Sequence, residues 1–203
     1  MKKQVILATT NMGKVKEFQA LLEPLDIQVM SIHDLEGERI PEVVEDGETF
    51  EENALKKARA FYRQFNIPAL ADDSGLEVDY LNGEPGIYSA RYAGEGKNDQ
   101  DNIEKLLEKL KEVKETELRK AHFTCAIAFV DGAEEETVTR GECHGVIASQ
   151  PRGENGFGYD PIFYLPEEKR TMAELSKEEK NKISHRSVAL KKLVENLSVK
   201  IVD

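Results

Sequence analysis

The stretch "IPALADDSGLEVDYL", residues 67–81, sets two aspartates at the end of an apolar run and just ahead of a serine and a glycine. Ile67 to Ala71 reads as a short buried strand, and Leu76 to Leu81 as another. A carboxylate beside such a run is expensive unless it is paired, protonated or bound to a cation. Successive strand residues face opposite sides, so at most one of Asp72 and Asp73 points cleanly at a given site. The other can bond backbone amides. A turn with Asx bonding before Gly75 is an equally good local account of the pair.

Working outward, strands and helices alternate at both ends of the chain around a β-rich middle. "KQVILATT" (3–10) is a strand entering a turn, and "GKVKEFQALLEPL" (13–25) a short helix with Val15, Phe18, Leu21 and Leu22 on one stripe. "DIQVMSI" (26–32) is a second strand. Beyond the acidic loop "EVVEDGE" (42–48), Thr49 and Glu52 have capping-box spacing, and Phe50, Ala54, Ala58, Phe61 and Phe65 mark a long amphipathic helix. Ile103, Leu106, Leu107, Leu110 and Val113 mark another, and residues 122–149 a hairpin with its loop near Asp131-Gly132. A Ser176-x-x-Glu179 capping box and a last helix carrying Ile183, Leu190, Leu193, Val194 and Leu197 follow. The fold class is α/β with a mixed sheet, and no repeat or linker divides residues 1–203, which read as a single domain.

Composition narrows the chemistry. With 203 residues, 39% apolar and 33% charged, the chain is an ordinary globular one. Its apolar runs are far shorter than a membrane helix needs, and Lys2-Lys3 lead straight into a strand, so the cytoplasm is the default compartment. The net charge of −11 argues against a nucleic-acid duplex, which needs a basic face. A small polyanion is compatible, provided cations are concentrated locally or a metal is recruited. Cys125 and Cys143 lack metal-ligand spacing and are read as reduced structural thiols.

Four stretches could carry chemistry. "ATTNMGK" (8–14) lies at a strand-to-helix turn, where backbone amides and one lysine suit a phosphate. It is not a P-loop, because Ala8 and Val15 stand where that pattern needs Gly and Ser/Thr. Thr9, Thr10 and Asn11 could equally do no more than cap the helix. Asp72-Asp73-Ser74, with Glu45, Asp46 and Glu48 in a separate loop, offers the hard oxygen donors that Mg²⁺ takes from one or two carboxylates beside a phosphate. "GENGFGYD" (153–160) puts Phe157 and Tyr159 among glycines, where a flat ligand could stack; a packed corner of the core is the plainer reading. In "KNKISHRS" (180–187), Ser184 could cap a helix, leaving His185 and Arg186 near its start, where cations call for an anion or acceptor.

Taken in order, "TTNMGK", "EDGETFEENALKKA", "ADDSGLEVD", "GEPGIYSARYAG", "GENGFGYDPIF" and "KNKISHRS" resemble the inosine/xanthosine triphosphate pyrophosphatases, over essentially the whole chain. The resemblance implies an elongated two-lobed α/β fold with a central mixed sheet flanked by helices and the active site in the cleft between the lobes. It implies Mg²⁺-dependent hydrolysis of ITP, dITP and XTP to the monophosphate and pyrophosphate by a homodimer. Position by position, it assigns Thr9, Thr10, Asn11, Met12, Gly13 and Lys14 to the substrate turn, with Lys14 on the phosphates. Asp73 becomes proton acceptor and metal ligand, Ser74 a substrate contact, and Phe157, Gly158, Tyr159 and Asp160 the base site, with Phe157 stacking. Lys180, His185 and Arg186 complete it, and His185 or Arg186 would donate to O6 and N7 of a 6-oxo purine. The acidic loop departs from relatives with two adjacent acids; the second metal carboxylate is assigned to Glu45, with Glu42 and Glu48 as rivals. Asp72 is expected to turn away, holding the loop or assisting through water. A Maf-like nucleotide pyrophosphatase and a non-catalytic nucleotide-binding protein are the alternatives. Against the first, Thr10, Asn11 and Lys14 stand where that class carries Ser-x-Ser and arginine.

Overall fold

The computed structural model describes residues 3–35, 37–132 and 136–202, with residues 198–202 by backbone alone. Seven strands form one mixed sheet: β1 (Lys3–Leu7), β2 (Ile27–Met30), β3 (Ala69–Val78), β4 (Lys120–Val130), β5 (Thr137–Ile147), β6 (Phe163–Leu165) and β7 (Arg170–Thr171). Their order is β2-β1-β3-β4-β5-β6-β7. β1 runs parallel to both β2 and β3, with Val5 opposite Val29 and Leu7 opposite Leu70. At the other edge β5, β6 and β7 pair antiparallel. The α/β class with a mixed sheet is therefore observed. The expected single domain divides into two compact units, residues 1–73, 125–141 and 186–203 in the first and residues 74–124 and 142–185 in the second.

In the first unit, helix α1 (Met12–Leu22) starts at Asn11, whose side chain accepts from the Gly13 and Lys14 amides and so satisfies two otherwise orphaned donors. Its buried face is Val15, Phe18 and Leu22. Helix α2 (Phe50–Phe65) is capped by Thr49 Oγ1, which accepts from the Glu52 amide at 3.2 Å. The reciprocal half of the expected capping box is displaced by one residue: the Glu52 carboxylate takes the Glu48 amide at 2.7 Å. Helix α2 ends at Asn66, in the left-handed conformation with φ of 51°. With α5 (His185–Val202), which adds Leu190 and Leu193, these elements cover a core of β-strand side chains that includes Leu7, Leu70 and Ile127.

The second unit packs α3 (Asp99–Lys109) through Ile103 and Leu106 onto Leu76, Phe123 and Phe163. A full capping box, Asn98 with Asp101, starts α3, and another, Ser176 with Glu179, starts α4 (Lys177–Ile183). Buried Arg119 ties the unit together by donating to the carbonyls of Ile147, Leu110, Val113 and Ala148 at 2.6–3.0 Å. Cys125 and Cys143 are buried free thiols.

One expectation fails here. The doublet does not interrupt two short strands; β3 runs unbroken from Ala69 to Val78. Side chains from other elements pair with Oδ2 of each carboxylate, Lys14 and Arg186 with Asp72 and Asn53 with Asp73.

Arg119→Met should lower the unfolding free energy by about 3 kcal/mol or more, because several buried carbonyls lose a charged donor at once. Urea denaturation of the two proteins measures it, and Arg119→Lys should fall between them.

Candidate active site

Alternation along β3 sends the two aspartates to different surroundings. Asp72 has no exposed surface. Its Oδ2 lies 2.9 Å from Lys14 Nζ at the start of α1 and 3.3 Å from Arg186 Nε at the start of α5. Arg186, 1% exposed, also reaches the Glu17 carboxylate on α1. Burial pushes the Asp72 pKa up, but the charges of Lys14, Arg186 and Lys57 together outweigh it and hold the carboxyl well below the usual carboxylate range. Asp72 is thus an ionised anchor for two cations.

Asp73, 7% exposed, looks the other way. Its Oδ2 accepts a 3.0 Å hydrogen bond from Asn53 Nδ2 of α2. Burial raises its pKa; Lys57, the Asn53 bond and Lys14 oppose the rise, and the like charge of Glu45 adds to it. Glu45, half-exposed in the acidic loop, pairs with Lys57 Nζ at 3.2 Å. Two carboxylates that sense one another, one of them destabilised by burial, make a donor set that a divalent cation would relieve. Among the described residues no three His, Cys, Asp or Glu side chains converge into an all-protein cage. The set therefore fits Mg²⁺, which takes one or two carboxylates and completes its shell with phosphate and water, better than Zn²⁺. Of the three acids weighed for this role, Glu42 and Glu48 are exposed, and the Glu48 amide donates to Glu52.

The turn before α1 carries Thr9, half-buried, and Thr10, Asn11 and Met12, exposed. Thr9 Oγ1 accepts from the Asn11 amide at 3.2 Å, and Asn11 Oδ1 from Gly13 at 2.8 Å. The capping reading of these residues is observed. It also holds the exposed turn rigidly beside Lys14.

In the second unit a buried carboxylate again does the anchoring. Asp160 Oδ2 accepts from Lys180 Nζ at 2.7 Å and from the Phe157 amide at 3.0 Å. The Lys180 ammonium sits 4.7 Å from the centre of the half-buried Phe157 ring, in cation–π range. Gly156, at φ of +78°, is obligatory on two grounds, since a Cβ there would also fall 2.0 Å from Asp160 Oδ2. The Gly158 amide donates to Asp99 at 2.7 Å, and the Tyr159 hydroxyl to the Ser89 carbonyl at 2.9 Å. His185 is buried and stacks on Phe123, ring centres 4.9 Å apart. Ser74 follows Asp73 on β3 and is half-buried.

Within the first unit the structure brings Lys14 and Arg186 together on Asp72, while Asp73 meets Asn53 and Glu45 pairs with Lys57; within the second it brings Phe157, Asp160 and Lys180 together. Arg186, expected to present donors to a purine, is engaged by Asp72 and Glu17, because a fully buried guanidinium requires counter-charge. Asn53, Lys57 and Glu17 went unnoticed in the sequence. For the first two a signal existed: Asn53 is a polar residue in the apolar stripe of α2, and Lys57 lies one turn beyond it. Glu17 had none.

Asp72→Asn should destabilise the fold by about 3–5 kcal/mol, since Lys14 and Arg186 would be left without their shared counter-charge. The depressed Asp72 pKa means that its contribution is present above the ordinary value of 3.8 and is lost as the pH falls below it. Thermal melts across pH 3–7 should show the variant's deficit shrinking at the acid end.

Residues 5–196 match the Ham1 family. A dITP/XTP pyrophosphatase of Bacillus anthracis is 57% identical over 197 residues, covering 96% of each chain. The dITP/XTP pyrophosphatase of Bacillus subtilis is 53% identical over 191 residues, 94% of this chain and 95% of its own. The Staphylococcus aureus Ham1 protein superposes with a TM-score of 0.84 at 47% identity, over 98% of this chain and all of the other. A HAM1 protein from Coxiella burnetii gives 0.85 at 43% identity, over 97% and 98% of the two chains. With the match spanning nearly every residue, and the same fold in the solved relatives, this chain belongs to the Ham1 family.

Proposed function

We propose that this chain hydrolyses deaminated purine nucleoside triphosphates (dITP, ITP and XTP) to the nucleoside monophosphate and pyrophosphate, removing them from the nucleotide pool. The observation that carries the reading is Asp73: a poorly solvated carboxylate, oriented by Asn53 and placed with Glu45 and Lys57. Relatives over 50% identical that bear the name dITP/XTP pyrophosphatase support the substrate class. Neither a Maf-like enzyme nor a non-catalytic nucleotide-binding protein is favoured beside them.

In this mechanism Asp73 accepts a proton from a water that attacks phosphorus, and the anhydride bond between the α and β phosphates breaks, releasing pyrophosphate. The burial that raises the Asp73 pKa makes it a stronger base than a surface aspartate. Lys14 and Lys57 supply positive charge for the phosphate oxygens, and Asp72 keeps Lys14 in place. Thr9, Thr10, Asn11, Met12 and Gly13 shape the phosphate turn, and Ser74 adds a hydroxyl. Asp73 and Glu45 would hold Mg²⁺, which when bound neutralises phosphate charge and polarises the reacting phosphorus.

The purine falls to the second unit. Phe157 offers a ring for stacking, the glycine on each side of it keeps the approach open, and Lys180, Tyr159, Asp160 and His185 surround it in the proposal. A 6-oxo purine presents acceptors at O6 and N7 where adenine has a 6-amino donor, so side-chain donors of the second unit, His185 among them, select against adenine. A homodimer working in the cytoplasm belongs to the same proposal, with light scattering and cell fractionation as its tests.

A pyrophosphate-release assay with ITP, XTP, dITP, ATP, GTP, CTP and UTP, with and without Mg²⁺, tests the whole reading. Hydrolysis confined to ITP, XTP and dITP and dependent on the metal is expected; preference for pyrimidine nucleotides, or no hydrolysis, would overturn it. Asp73→Asn should lower kcat by about 10²–10⁴-fold while ITP still binds.

A further inference from the structure

Asn53 lies on the buried face of α2, beside Phe50 and Ala54, and is 1% exposed. Both ends of its carboxamide are engaged. Nδ2 donates to Asp73 Oδ2 at 3.0 Å, and Oδ1 accepts from the Gly47 amide at 2.8 Å. The partners dictate this orientation. An ionised carboxylate only accepts and a backbone amide only donates, so a flipped carboxamide would oppose like groups at both ends.

Gly47 stands two residues beyond Glu45 in the acidic loop. A Cβ on Gly47 would come within 2.6 Å of Asn53 Oδ1 and 2.9 Å of Glu52 Cβ, so the loop approaches Asn53 this closely only because residue 47 is glycine. A side chain needed for packing alone would be apolar here, since burying an amide is unfavourable without partners. Asn53 has two, one on each side of the proposed metal site.

We infer that Asn53 is a positioning residue that ties the Glu45 loop to Asp73, so that the two carboxylates form one preassembled site for a divalent cation. Its donor also fixes which Asp73 oxygen is engaged. The inference rests on the proposed hydrolysis for its meaning, but its geometry stands without it.

Two variants test it. Asn53→Leu keeps the volume and removes the bridge; Gly47→Ala leaves Asn53 in place and pushes the loop off it. Mn²⁺ affinity by electron paramagnetic resonance and the Asp73 titration by ¹³C NMR need no turnover, and kcat and KM for ITP complete the set. In Asn53→Leu the Mn²⁺ affinity should fall about 10–100-fold and kcat by a similar factor, as when an outer partner of a metal ligand is removed. The KM for ITP should change less than about threefold, and Asp73 should titrate at higher pH than in the parent. Gly47→Ala should move Mn²⁺ affinity and kcat the same way by a smaller factor, and it decides the matter if Asn53→Leu does not fold. Parental Mn²⁺ affinity in folded variants overturns the inference. Should the parent protein itself fail to hydrolyse ITP and XTP, the functional reading falls, while the Mn²⁺ and NMR results still decide the role of Asn53.

Discussion

A carboxylate with no exposed surface governs the first unit. An ion in that position is tolerated only if opposite charge is brought to it, and Asp72 receives Lys14 from the start of α1 and Arg186 from the start of α5. Two helix starts, far apart in sequence, are thereby tied to one residue of β3. Arg186 extends the network to Glu17, so α1 is gripped at two points. The alternation of the strand then does the rest. With Asp72 turned to the cations, Asp73 has to face the other way, toward Asn53, Lys57 and the acidic loop. The acid proposed to do the chemistry is positioned by the acid that does not.

The second unit uses the same device at smaller scale. Buried Asp160 holds Lys180 and the Phe157 amide on a single oxygen, which places a cation over an aromatic ring. In both units an anchoring carboxylate organises a cation beside a group that faces outward. This resolves the apparent conflict between a net charge of −11 and a polyanionic substrate. The buried acids Asp72 and Asp160 hold cations in place.

Much of this was legible one residue at a time. The cap at Asn11, the stripe Val15-Phe18-Leu22, the start of α2 at Thr49 and the box at Ser176 follow from spacing and propensity, which are local properties. The doublet was legible as a problem: two charges at the end of an apolar run need partners. Its solution was not. The serine and glycine after it suggest a turn, and the strand instead continues, with Oδ2 of each acid paired to side chains from other elements. Asn53 was overlooked because the apolar stripe of α2 explains its neighbours Phe50 and Ala54 without it.

The amino-acid sequence by itself determined the α/β class, the strand-to-helix turn at Thr9–Lys14, the acidic loop, the aromatic-glycine loop and, through six ordered motifs, the family. It could do so because helix caps, hydrophobic period and turn residues act over a few positions. Only the tertiary structure decided that Asp72 anchors and Asp73 is presented, that Arg186 meets Glu17 across 169 residues of chain, and that Asn53 links Gly47 to Asp73. Those outcomes depend on which charges are buried together. Desolvation and pairing are properties of three-dimensional neighbours, and no spacing along the chain specifies them.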